Sequence, residues 1–88
     1  MRVFVKRIDI ERGQPNSIFL CPIARAVRRA LRKAGRYPKC VAVDARRCSA
    51  VYGRRTYTRA LRPRAAAFVR DFDQGRFARP FSFSVAGL

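Results

Sequence analysis

The chain has 88 residues, of which 21 are lysine or arginine and only five are acidic, so its formal net charge is +16 at pH 7. An apolar content of 49% argues against disorder, and we predict a single compact domain over residues 1–88. Because it lacks a membrane-length apolar run, a signal-peptide centre and a disulfide pattern among its three cysteines, we expect a cytoplasmic protein with no membrane partner.

The first twenty residues predict a strand, a short helix and a loop. Residues Arg2–Lys6 have the β-branched and aromatic content of a strand. Arg7–Arg12 then fit a short turn or helix that ends at Gly13. Residues 14–20 follow as a predicted loop.

The segment from about Cys21 to Ala34 is predicted to be an amphipathic helix. Pro22 suits its first turn, where a backbone N–H would have no partner, and Gly35 suits its C-terminal cap. On a helical wheel of roughly 100° per residue, arginines and apolar side chains fall on opposite faces. We name the charged face the arginine stripe; it comprises Arg25, Arg28, Arg29, Arg32 and Arg36.

Beyond this helix the period changes, and three short strands are predicted in succession. They cover Lys39–Asp44, Cys48–Tyr52 and Thr56–Leu61, joined by arginine-containing turns. A second helix is predicted over Pro63–Phe72, because its apolar residues share one face. Alternation over Phe81–Val85 predicts a last strand.

The order of elements, β-(short α)-α-β-β-β-α-β, predicts an α+β fold. Each element has a single apolar side to bury. We therefore expect a small antiparallel or mixed sheet of about four to five strands with two main helices packed on one face.

Four spaced motifs relate the chain to a known class of proteins. They are Asp9-Ile10-x-x-Gly13, Cys21-Pro22-Ile23-Ala24-x-Ala26, Phe68-x-x-x-Phe72-Asp73-x-Gly75 and Pro80-Phe81-x-Phe83. With this pattern the chain resembles small, mostly uncharacterised accessory proteins encoded by bacteriophages and prophages. The resemblance implies a compact α+β domain that acts in the cytoplasm of a bacterial host. Such proteins include anti-CRISPR inhibitors and other anti-defence factors, so it also implies action by stoichiometric binding.

The motif positions also have purely structural explanations. Asp9–Gly13 fits a turn closed by a glycine with positive φ, and Cys21–Pro22 fits a helix entry with a small buried thiol. A small domain must fill its interior with large side chains. We therefore expect the core to contain Phe68, Phe72, Phe81 and Phe83.

The inventory of residues argues against an enzyme. The chain has no histidine, and its five acids lie among cations that should lower their pKa values, which does not suit a general acid at neutral pH. No spacing of cysteines matches a metal site, and no glycine-rich loop matches a phosphate-binding signature. The one alternative is Cys21 as a nucleophile with a pKa lowered by a helix N-terminus, but it lacks a histidine partner. We expect no catalytic residue, metal or cofactor.

The charge indicates an anionic partner instead. Arginines outnumber lysines by 18 to 3, and a guanidinium can grip a phosphate with two hydrogen bonds and stack on bases. A solvated surface in a GC-rich genome would explain this bias but not the shortage of acids. The candidate binding surface consists of the arginine stripe together with Arg46, Arg47, Arg54, Arg55, Tyr52 and Tyr57.

These observations lead to one principal hypothesis and two alternatives. The principal one is a non-enzymatic, phage-type anti-defence protein, of which an anti-CRISPR inhibitor is one form, that binds nucleic acid (DNA or RNA) or a host nucleoprotein defence complex. The stripe has no Asn or Gln among its arginines, which favours backbone contacts over base recognition. The alternatives are an autonomous DNA- or RNA-binding phage regulator with little sequence specificity and a structural or assembly protein.

Overall fold

The computed structural model describes residues Met1–Leu88, and its elements follow the predicted order. The α+β class is therefore confirmed. In chain order the elements are β1 (Arg2–Val5), α1 (Arg7–Arg12), α2 (Pro22–Lys33), β2 (Cys40–Val43), β3 (Arg47–Tyr52), β4 (Arg55–Ala60), α3 (Pro63–Asp73) and β5 (Phe81–Ser84).

The strands form two antiparallel sheets, whereas a single sheet was expected. β1 pairs with β5, and β2, β3 and β4 form a three-stranded meander in that order. The loop before α2 occupies the outer edge of β2, since the Val43 N–H donates to the Ile18 carbonyl oxygen at 2.7 Å. The sheets have two and three strands, fewer than the four to five predicted for a single sheet.

Helix α2 joins the two sheets by packing against both β1 and β2. Its buried side chains include Ile23, Val27 and Leu31, each with no exposed surface. On the strands they meet alternating valines, as the period of 2 requires. The valines that complete this core are Val3 and Val5 of β1 and Val41 and Val43 of β2.

Both ends of α2 have the caps that the sequence predicts. At the N-terminus the Ala24 N–H donates to the Cys21 sulfur at 3.4 Å. At the C-terminus Gly35 adopts a φ of 78°, and the Arg36 N–H returns to the Leu31 carbonyl oxygen at 2.9 Å. This is a Schellman motif, in which a left-handed glycine satisfies the last carbonyls of a helix.

The prediction that Gly13 has a positive φ is wrong. Its φ is −70°, a value that any residue can adopt. A Cβ at this position would lie 2.6 Å from the Asp9 carbonyl oxygen and 2.6 Å from the ring of Pro22. Glycine is required because the end of α1 touches the start of α2.

The phenylalanines are less buried than expected. Only Phe83 is buried, whereas Phe68, Phe72 and Phe81 are half-buried. Their rings form a row along α3 and β5, with centroids 6.1 Å apart for Phe72 and Phe68, 4.9 Å for Phe68 and Phe81, and 5.8 Å for Phe81 and Phe83. The interior is filled mainly by valines and alanines, so this row lies at the margin of the core.

Asp9 is the one charged side chain buried in the protein. Both of its oxygens accept from Arg29, at 2.7 and 2.6 Å, and Oδ2 also accepts from the Lys6 N–H at 2.8 Å. Burial by itself would raise the pKa of Asp9, but these hydrogen bonds and the charges of Arg29 and Arg25 lower it below its ordinary value. The carboxylate therefore stays ionised and ties α1 to α2.

We predict that Asp9→Asn lowers the free energy of unfolding by about 2 kcal/mol, less than the roughly 3–5 kcal/mol of fully buried pairs because Arg29 still reaches water. Chemical denaturation measures this change. Arg32→Gln is the matched control, since Arg32 is exposed and forms no ion pair, and it should change stability by less than about 0.5 kcal/mol. Equal effects of the two substitutions would contradict a structural role for Asp9.

The same carboxylate predicts how stability depends on pH. Because its folded-state pKa is lowered, its contribution is complete above the unfolded-state pKa near 3.8 and is lost as the pH falls through the folded-state value. Denaturation between pH 6 and pH 2 should therefore show a steeper acid loss for the wild type than for Asp9→Asn. Parallel curves would show that another group controls acid unfolding.

Candidate nucleic-acid interface

The structure divides the arginine stripe into side chains that stabilise the fold and side chains that do not. Arg29 binds Asp9 and also donates to the Phe4 carbonyl oxygen at 2.8 Å, while Arg25 Nε lies 3.7 Å from Asp9 Oδ1. The side chains of Arg25 and Arg29 are only 29% and 34% exposed. Both therefore have a structural role that the sequence analysis did not identify.

Of the other three stripe residues, only Arg32 is unengaged. Arg28 donates to the Phe19 carbonyl oxygen at 2.8 Å and holds the loop that precedes α2. Arg36 lies beyond the end of the helix, because the chain reverses at Gly35, and it therefore departs from the stripe. Arg32 is exposed and forms no hydrogen bond or ion pair within the protein.

The four stripe residues that lie within the helix line a groove of about 560 Å³ that we name the α2 groove. Every side chain that lines it is charged, and the single acid, Asp9, is already bonded to Arg29. Lys33 joins the groove although the sequence analysis did not select it; its place four residues after Arg29, on the same side of the helix, was the available signal. The lining residues are Asp9, Arg25, Arg28, Arg29, Arg32 and Lys33.

A second depression, of about 460 Å³, brings Arg36 together with both predicted tyrosines. We name it the tyrosine basin; it is lined by Arg36, Tyr52, Tyr57, Arg59, Gly87 and Leu88. The Tyr52 and Tyr57 rings meet edge to face with centroids 5.9 Å apart, and the Arg59 guanidinium lies 6.0 Å from the centroid of Tyr57. Arg36 and the Tyr52 hydroxyl both donate to the Leu88 carbonyl oxygen, at 2.7 and 3.0 Å.

The strand register explains why the basin forms. Tyr57 pairs with the buried Ala50, and Tyr52 pairs with Arg55, so these residues share the core-side face of the meander. Arg59, two residues from Tyr57, projects to the same side. The sequence analysis did not select Arg59 as a site residue, although its place two residues after Tyr57 in the same predicted strand was the available signal.

The arginines of the turns lie in two separate groups. Arg46 and Arg47 follow β2. Their backbone N–H groups both donate to Asp44 Oδ1 at 2.7 Å, and these hydrogen bonds lower the pKa of that carboxyl. Arg54 and Arg55 lie at the other end of β3, roughly 17 Å away for a strand of this length. Only the second group lies beside the tyrosine basin.

The two buried cysteines, Cys21 and Cys48, have raised pKa values. Burial raises the pKa of Cys21, despite its position at a helix N-terminus, and raises the pKa of Cys48 to about 12. The thiols are therefore protonated at neutral pH, so the nucleophile alternative loses its physical basis. No three histidine, cysteine or acidic side chains come together in a way that would hold a metal ion.

We predict that a thiol reagent at pH 8 modifies only Cys40 in the native protein. Cys40 is half-buried, whereas Cys21 and Cys48 are 3% and 0% exposed. Mass spectrometry should find one label per native chain, three after unfolding in guanidinium chloride, and none in native Cys40→Ser. Modification of Cys21 before Cys40 would show an activated thiol and reverse this conclusion.

Comparison of the chain with protein-family models, curated proteins and solved structures yields no significant match. A helix suited to cross a bilayer is also absent, because none of α1, α2 and α3 has the necessary length and apolar character.

Proposed function

We propose that the protein binds the phosphate backbone of nucleic acid, free or within a nucleoprotein complex, and does so without catalysis. The observation that carries this proposal is the absence of internal partners for most of its cations. Only Arg25, Arg29 and Arg76 form ion pairs with acidic side chains. The other basic side chains form no ion pair within the protein and are therefore available to an external anion.

The geometry of the α2 groove supports phosphate as that anion. Arg29 is hydrogen-bonded to Asp9 and the Arg25 guanidinium lies within ion-pair distance of it, so the groove has a positive floor that is organised before any ligand binds. Arg32 and Lys33 are exposed at its rim. A row of guanidinium and ammonium groups of this kind makes charge-assisted hydrogen bonds with phosphate oxygens.

The tyrosine basin offers a second basic patch, which contains aromatic rings. Tyr52 and Tyr57 lie among Arg36 and Arg59, an arrangement that combines stacking with phosphate contacts. Arg54 and Arg55 are close to this basin, whereas Arg46 and Arg47 would contact a different part of a long partner. The proposed surface is therefore α2, the basin and the Gly53–Arg54 turn.

As its biological role we propose phage-type anti-defence, in which this surface occupies a host nucleoprotein complex stoichiometrically. The proposal rests on the resemblance to small phage accessory proteins together with the unpaired positive surface. An autonomous nucleic-acid regulator would use the same groove but need no protein partner. An assembly protein would stay with nucleic-acid-containing particles and leave host defence unaffected.

The test of phosphate binding is a charge reversal that leaves Asp9 intact. Reversal of Arg25 or Arg29 would place a second acid against the buried Asp9, so Arg32→Glu is the suitable change. We predict that it weakens binding to labelled oligonucleotides about tenfold at low salt and reduces the slope of log K against log salt by about 1 to 2. Fluorescence anisotropy at 50–200 mM salt measures both quantities.

Arg12→Glu is the matched control for this experiment. Arg12 is also exposed and unpaired, and it lies near Pro22, about 15 Å along α2 from Arg32. It should weaken binding less than threefold. Equal losses would indicate an effect of net charge alone, and unchanged binding by Arg32→Glu would show that another surface is used.

The anti-defence role predicts that the tagged protein co-purifies with a host defence effector complex and inhibits it, and that Arg32→Glu reduces both capture and inhibition. Pull-down from a bacterial lysate followed by an effector activity assay measures these. Binding of free nucleic acid at about 50 mM salt without capture of an effector would favour the autonomous regulator. Inhibition that survives Arg32→Glu would show that the anti-defence role does not depend on the α2 groove.

A further inference from the structure

A separate groove of about 360 Å³ lies between α3 and the segment that leads into β5. We name it the phenylalanine groove. None of its residues belongs to the surface proposed above. The side chains that define it chemically are Arg64, Phe68, Asp71, Phe77, Arg79 and Phe81.

Phe77 is the most conspicuous residue of the phenylalanine groove. Its side chain is 81% exposed, more than any other large apolar residue of the protein. Beside it, Phe81 is half-buried and contacts Phe68 with a centroid distance of 4.9 Å. An apolar floor with an exposed aromatic ring and a charged rim is typical of a binding site.

A guanidinium group lies over each of the rings of Phe77 and Phe81. The Arg79 guanidinium lies 5.6 Å from the centroid of Phe77, and the Arg64 guanidinium lies 5.4 Å from that of Phe81. The only acid of the groove, Asp71, is bonded to Arg76 at 3.3 Å, which offsets its charge. The groove therefore offers flat aromatic and guanidinium faces within a positive rim.

We propose that the phenylalanine groove holds an unstacked base of a single-stranded nucleic acid, with the neighbouring phosphates on Arg64 and Arg79. This proposal rests on the phosphate-binding function proposed above and specifies the form of the ligand. A base can stack on a phenyl ring or on a guanidinium while its phosphate accepts guanidinium N–H groups. Paired bases in a duplex have no free face, so a single strand is required.

The geometry favours a nucleotide over an acidic peptide. The guanidiniums of Arg64 and Arg79 already lie over the ring faces, so an apolar peptide side chain would have to displace them. A base instead adds a further planar layer to the same stack. The groove volume of about 360 Å³ also falls at the small end of ligand sites, as a single base requires.

The test separates base stacking from phosphate binding. Fluorescence anisotropy compares a labelled single-stranded oligothymidylate with an abasic strand of the same length and charge. We expect the wild type to prefer oligothymidylate about tenfold. Phe77→Ala should reduce this preference about fivefold, leaving the part that the tyrosine basin contributes, without changing the affinity for the abasic strand, and Phe77→Tyr should retain the full preference. Phe4→Ala is the matched control, because Phe4 is 58% exposed but lies on β1.

Each other outcome overturns the proposal in a distinct way. A base preference that is undiminished in Phe77→Ala would place the stacked base elsewhere, while the phosphate-binding function stands. Absence of binding to either strand at about 50 mM salt would remove the proposed function together with this inference. If a labelled peptide of alternating Asp and Phe binds the wild type but not Phe77→Ala, and no base preference exists, the groove belongs to an acidic protein partner.

Discussion

The ion pair between Asp9 and Arg29 is the interaction on which the organisation of this protein depends. A chain with a net charge of +16 must bring α1 and α2 together although both carry arginines. Asp9 makes this possible because its carboxylate is fully buried and meets Arg29 and Arg25 at once. Gly13 completes the arrangement, since a larger residue would separate α1 from Pro22.

Because Asp9 contacts only two of the arginines of α2, these arginines have different roles. Arg25 and Arg29 support the fold, Arg28 holds a loop, and Arg32 has no partner in the protein. The side chains that stabilise the fold also form the floor of the α2 groove, so structure and ligand binding share the same charges. A ligand there meets guanidiniums that are already ordered, which reduces the entropy lost on binding.

The helices and strands could be predicted because the sequence signals for each element lie within it or at its ends. Pro22 and Gly35 mark the ends of α2. The short segments with strand composition give the order of the strands along the chain. The split into two sheets was not predictable, because the pairing of β1 with β5 and the loop contact at Val43 depend on long-range packing. The tyrosine basin and the buried Asp9 were missed for the same reason.

The pairing of β1 with β5 has a consequence for how the chain reaches this structure. Arg2 lies opposite Ser84, so this sheet joins residues from the two ends of the described chain, whereas β2, β3 and β4 pair with their immediate neighbours. Closing a longer loop costs more chain entropy, and non-local strand pairing slows folding. We therefore expect the meander to form early and the β1–β5 sheet to close late, so that folding is complete only after β5 has been synthesised.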